Sequence, residues 1–235
     1  MTSNAVFLQP AFILQQRKYR ETSFIIDALT RDFGRVSLLA KGVRKTKSQT
    51  AGLLQPFRPL NLSYFGKSEL KTLSNVEMIK PYDQLQGLAL YCGFYVNELI
   101  TCFLHKYDPH PEVFELYETC LSCLFEPSKI EMSLRIFELD LMAIVGYGLQ
   151  LDYDCFNNKA VHSLANYHYN EEQGPIESQE GLYSGKTLLA LKSRALNDSQ
   201  TLHEAKILMR TVISVYLQGK PLKSRTVINQ IMHHL

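Results

Sequence analysis

Two different hydrophobic periods divide the chain. Up to residue 80, apolar positions come in short runs separated by turn residues. "AVFLQPAFILQ" (5–15), "SFIIDALT" (23–30), "RVSLLAKG" (35–42), "FRPLNLSYFG" (57–66) and "ELKTLSNVEMI" (69–79) have strand length and β-forming content. "RDFG" ends in Gly34 at hairpin distance between the second and third runs, and "GKS" separates the last two. In the fourth run Leu60, Leu62 and Tyr64 share one side, while Pro56 and Pro59 fit an edge or the start of a strand. Five short strands over about 80 residues predict a small closed barrel.

The period changes at Lys80-Pro81. Residues 82–108 form a long, mostly apolar helical pattern, stopped by Pro109 and Pro111. In 111–125, Val113, Leu116, Cys120 and Leu124 lie on one helical stripe. Ser128 and Glu131 match a capping box for the next helix, which Gly146 and Gly148 end. Residues 150–183 are polar, turn-rich and aromatic, with no helical stripe, and read as a small irregular or β insertion. Helical pattern resumes at Ser184 and continues to the end. The expected class is α+β: a five-stranded barrel over 1–80, then a helical domain over 81–235 that carries the insertion.

Charge sharpens this division. The net charge of +2 hides a strong asymmetry. Residues 1–80 hold 13 basic and 5 acidic residues, whereas 81–150 hold 3 and 10. Such a split suggests a polyanion-binding module joined to something different. Lys41, Arg44, Lys45 and Lys47 crowd into seven residues, and no carboxylate lies between Asp32 and Glu69. Arg17, Lys18 and Arg20 are expected to form a second basic loop, between the first two strands. Arg35, at the head of the third strand, is counted with them. On a five-stranded barrel the inter-strand loops flank the oligonucleotide-binding face, and each neutralised phosphate releases counterions. Tyr64 and Phe65 are candidate stacking surfaces for bases. The plainer alternative is a solvated loop that keeps the domain soluble.

Other motifs yield little. Cys120 and Cys123 form C-x-x-C, but within an amphipathic helix they serve as small apolar residues. Cys155, His162 and His168 offer one sulfur at awkward spacing, so no metal and no cofactor are expected. "SGKT" (184–187) resembles the end of a phosphate-binding loop, yet the required upstream glycine is misplaced, and Ser184 reads as a helix N-cap. No hydrolase triad or paired-carboxylate constellation stands out, so no enzyme is expected. Residues 87–104 contain Asn97 and Glu98 and read as a core helix, not a membrane span. Five cysteines and no secretory start predict a reducing, cytoplasmic setting. In "GKPLKSR" (219–225), Lys220, Lys223 and Arg225 surround a helix N-terminus, where they oppose the helix dipole and suggest an anionic partner, either phosphate or an acidic peptide tail.

Taken in order, these residues resemble a known family. "YRETSFIIDALTRDFGRVSLLAKGVRKTKS", "LLQPFRPLNL", "SELKTLSNVE" and the closing "GKPLKSR" are similar to the bacterial RecO recombination mediators over essentially the whole chain. The resemblance implies an N-terminal OB-fold, a helical body and a small insertion. It also implies binding of single- and double-stranded DNA, strand annealing, and work with RecR to load RecA onto DNA coated by single-strand binding protein. Recognition of that protein's acidic C-terminal tail, and a place beside the nucleoid, follow from the same source. Some members carry four zinc-binding cysteines in the insertion. Here only Cys155 remains, so 150–183 resembles a degenerate zinc-finger region. The rival reading is an RNA-binding OB module of translation or RNA processing.

Overall fold

The computed structural model describes residues 5–44 and 50–232. Lys45 and Lys47 therefore lie outside the described residues. The chain divides into two compact units, Met1–Leu121 and Ser122–Leu235.

In the first unit the five apolar runs become strands β1 (Ala5–Tyr19), β2 (Ser23–Thr30), β3 (Gly34–Ala40), β4 (Leu60–Phe65) and β5 (Leu70–Met78). They close into a barrel in the order β1-β2-β3-β5-β4. All pairings are antiparallel except β3 with β5. This is the arrangement of an OB-fold barrel, with one short helical turn, α1 (Thr50–Leu53), between β3 and β4. Alternation fills the inside: Ile13, Ile26, Leu38, Leu60 and Leu62 are fully buried. The long β1 serves both sides of the barrel, pairing with β4 through its first half and with β2 through its second. Bulges between Val6 and Gln9 and between Ile13 and Gln15 give it the necessary curvature.

Two helices complete this unit, α2 (Gly87–Phe103) and α3 (Pro111–Cys123), whose last two residues fall in the second unit. The compact body thus extends beyond the change of period at Pro81. Phe12, on β1, places its ring 5.2 Å from Phe114 and 5.0 Å from Tyr117. Asn97, the polar residue inside the apolar run of α2, donates to the Leu14 carbonyl at 2.8 Å. It accepts in turn from the Tyr117 hydroxyl at 2.7 Å. Full burial raises the Tyr117 phenol well above its ordinary pKa, so it remains a neutral donor here. Cys120 is buried on the same helix, as a packing residue.

The second unit holds α4 (Ile130–Ile144), α5 (Gly185–Ser193), α6 (Ser199–Tyr216) and α7 (Lys223–Met232). The expected capping box is corrected. Pro127 starts a 3-10 turn over Pro127–Lys129, so Ser128 lies inside that turn and Lys129 occupies the N-cap without a side-chain bond. Glu131 instead pairs with Lys206 at 3.1 Å. Ser184 does cap α5, accepting from the Thr187 N–H at 3.2 Å. Glu204, on α6, gathers the Ser184 N–H and hydroxyl, the Thr187 hydroxyl and the Gln200 amide. Burial pushes its carboxyl up, but these donors prevail and hold it below the usual range.

Residues 150–183 contain the short strands β6 (Tyr153–Asp154), β7 (Lys159–Ala160), β8 (Asn166–Asn170), β9 (Gly174–Glu177) and the start of β10 (Tyr183–Ser184). They form a two-stranded piece, β6-β7, and a three-stranded sheet, β10-β8-β9. Asp154 joins the two. Its fully buried carboxylate accepts from the Asn157 N–H and side-chain amide and from the Glu177 N–H at 2.7–2.9 Å. Burial raises its pKa, but the hydrogen bonds outweigh that and keep it low. The adjacent Cys155 is exposed.

Candidate nucleic-acid interface

The candidate interface lies at one end of the barrel. β1 runs on to Tyr19, pairing Arg17 with Ile25, Lys18 with Phe24 and Tyr19 with Ser23. Arg17 and Lys18 are therefore strand residues and not loop residues as the sequence suggested. The polar run that reads as a loop is the exposed end of a strand reaching past the core. The turn itself is only residues 20–22, with Arg20 at φ 49°.

The segment after β3 folds back onto that turn. The Arg44 N–H donates to the Thr22 carbonyl at 2.9 Å. The Arg44 guanidinium donates to the Arg20 carbonyl at 3.1 Å and lies 5.9 Å from the centre of the Phe24 ring. Arg20 in turn lies over Tyr19, 5.3 Å from its ring centre. Between the two segments runs an open groove of about 770 Å³, lined by Tyr19, Arg20, Thr22, Leu39, Lys41 and Gly42 among others. Glu21 also faces it. Arg17 belongs to the same outer face: it pairs with Ile25, Ile25 pairs with Leu39, and paired residues project to one side of a sheet. Lys18 pairs with Phe24 and so stands on the opposite side. Of the basic residues singled out in the sequence, Arg20 and Lys41 line the groove, Arg17 shares its outer face, and Arg44 braces the turn through the Arg20 carbonyl.

Arg35 is different, and its place among the phosphate ligands is corrected. Only 6% exposed, it forms an ion pair with Asp27 at 2.6 Å. It also donates to the carbonyls of Thr101 and Leu104, at the end of α2, at 2.6 and 2.7 Å. Its charge is used inside the first unit, on Asp27 and the end of α2. Tyr64 is corrected as well. At 3% exposure it belongs to the barrel core, where burial pushes its phenol up to about 12. Phe65, one residue on, points outward, as strand alternation requires.

In the second unit, Lys220 lies in the connection after α6, Lys223 opens α7 and Arg225 lies in its first turn. Gly219, at φ 72°, makes the bend, its N–H bonded to the Ser214 carbonyl at 2.9 Å. Among the described residues no three His, Cys, Asp or Glu side chains come together as a metal site. No helix among them is long and apolar enough to cross a membrane.

Comparison with known proteins agrees with this architecture. The family model for the N-terminal part of recombination protein O matches residues 4–82, and that for its C-terminal part matches 84–226. The chain is 41% identical over 231 residues to the DNA repair protein RecO of Nitrosococcus oceani, covering 96% of this chain and 94% of that one. It is 41% identical over 222 residues to the Methylococcus capsulatus protein of the same name, covering 94% and 92%. The Haemophilus influenzae protein, also a DNA repair protein RecO, is 40% identical over 226 residues, covering 95% and 96%. With both halves of the family matched in order, along a barrel and a helical body of the expected kinds, the chain belongs to the RecO family of DNA repair proteins.

Proposed function

We propose that this chain is a DNA-binding recombination mediator that anneals complementary strands and helps load RecA, with RecR, onto DNA coated by single-strand binding protein. The observation that carries the reading is a groove lined by Arg20 and Lys41, from two separate segments, with Arg17 on the same outer face and Arg44 bracing the turn beside it. A groove of that sign holds sugar-phosphate chains irrespective of sequence. Two complementary strands repel each other through their backbones. Neutralising both lowers that repulsion, so charge and placement suffice and no covalent step is needed. Lys45 and Lys47 extend the same basic segment in the sequence. In the helical body, Lys220, Lys223 and Arg225 receive the carboxylates of the coating protein's acidic tail. Such a role belongs in the cytoplasm, beside the nucleoid.

The test is a strand-annealing assay with complementary oligonucleotides precoated by single-strand binding protein. The chain is expected to accelerate pairing at low salt and to lose the effect as salt rises. No acceleration over the coated strands alone contradicts the mediator reading.

A further inference from the structure

We propose that the barrel carries a stacking ledge for unpaired nucleobases, formed by Phe65 and Phe7 and continuous with the basic groove. The inference rests on the nucleic-acid reading above and specifies which part of the ligand this surface takes.

Phe7 is 74% exposed, Leu8 52% and Phe65 48%. The first two lie in the β1 bulge opposite β4. Curving a strand requires an extra residue, not a Phe-Leu pair facing water. Leu8 also adopts φ 48°, a left-handed conformation unfavourable for leucine. It is held there: its N–H donates to the Ser63 hydroxyl at 3.0 Å, and the Ser63 carbonyl accepts from the Ser74 hydroxyl at 2.9 Å. The structure thus fixes a strained backbone that presents large apolar groups to solvent.

Strand pairing connects this surface to the groove. Residues paired across a sheet share a face, so the pairs can be followed around the barrel. Arg17 pairs with Ile25, Ile25 with Leu39, Leu39 with Thr72, Thr72 with Phe65, and Phe65 with Ala5. Leu39 lines the basic groove. Phe65 stands two strands away on the same outer face, roughly 10 Å across. Phe7 follows Ala5 by two residues. A chain of nucleotides with phosphates in the groove has a direct path over Thr72 to the two rings.

The chemistry favours bases over an apolar peptide. Both rings are aromatic, and any base has a π-face to offer them. Lys67 is exposed in the turn just after Phe65. The surrounding residues 1–80 hold 13 cations against 5 carboxylates, which suits a polyanion. Duplex DNA keeps its bases stacked inside, so the ledge distinguishes unpaired from paired strands.

The sequence has no tryptophan, so Phe7→Trp and Phe65→Trp each install a single fluorescent reporter while keeping an aromatic ring. An unpaired oligonucleotide is expected to quench each reporter about twofold or more, and the matching duplex is expected to leave it unchanged. The Phe7→Ala/Phe65→Ala chain, with its melting temperature checked, is expected to bind unpaired strands at least about tenfold more weakly. Its duplex affinity should stay within about twofold. Normal single-strand binding with unquenched reporters overturns the ledge, leaves the groove standing and points to a protein occupant. Failure of the unaltered chain to bind any oligonucleotide overturns ledge and groove together.

Discussion

Replacing Arg35 with alanine is expected to destabilise the first unit by about 3–5 kcal/mol, the usual loss when one partner of a buried ion pair is removed. The substitution leaves Asp27, 7% exposed, without its counter-charge, and removes the donor to the Thr101 and Leu104 carbonyls. Those carbonyls end α2, so the loss also loosens the helix from the barrel. Arg17→Ala, at an exposed strand position, serves as the control and should change stability by no more than about 0.5 kcal/mol. Denaturant midpoints at constant slope measure both. A fully stable Arg35→Ala chain with weakened DNA binding would return Arg35 to the interface.

A comparable loss is expected at Gly34. Its φ of 63° lies in the left-handed region, which costs alanine roughly 1–2 kcal/mol. Space is shorter still: a methyl there would sit 2.5 Å from the carbonyl carbon of Asp108 and closer to its oxygen. The close approach belongs to a hydrogen-bonded junction. The Tyr107 N–H donates to the Arg35 carbonyl at 2.9 Å, and the Tyr107 hydroxyl donates to the Glu69 carbonyl. These bonds hold the segment after α2 against the start of β3. Forcing backbone from backbone adds about 1–3 kcal/mol. Gly34→Ala should therefore cost about 2–5 kcal/mol in total, read as a lowered melting temperature. Unchanged stability would mean that the 104–108 segment does not pack against β3 as described.

The barrel was legible because period-two runs separated by turn residues leave little else for the first 80 residues to become. What the pattern concealed was local. The stretch 17–19 is polar and reads as loop, yet it is strand, because its side chains lie beyond the core and no alternation is imposed on them. Tyr64 and Phe65 looked like one aromatic surface, but neighbours on a strand face opposite ways, and that rule alone separates them. Arg35 looked like one more surface cation. The clue to its burial was Asp27, a lone carboxylate inside "FIIDALT", which required a partner across the hairpin. Phe7 and Leu8 had a signal too: two large apolar residues in succession break the alternation just before Pro10, as a bulge does. Asp154 had none, since its role as the link between β6 and β9 depends on folding 23 residues back to the Glu177 N–H.

The central claim is that Arg17, Arg20 and Lys41 engage phosphates together in one groove. The most direct measurement is the salt dependence of oligonucleotide binding, for the unaltered chain and for Arg17→Ala/Arg20→Ala/Lys41→Ala. Arg44 is left in place because its guanidinium supports the turn. Each phosphate no longer neutralised should flatten log K against log salt by about 0.7 for a single strand, so the triple variant should be shallower by about 2. A variant with the same slope and the same affinity as the unaltered chain would contradict the account.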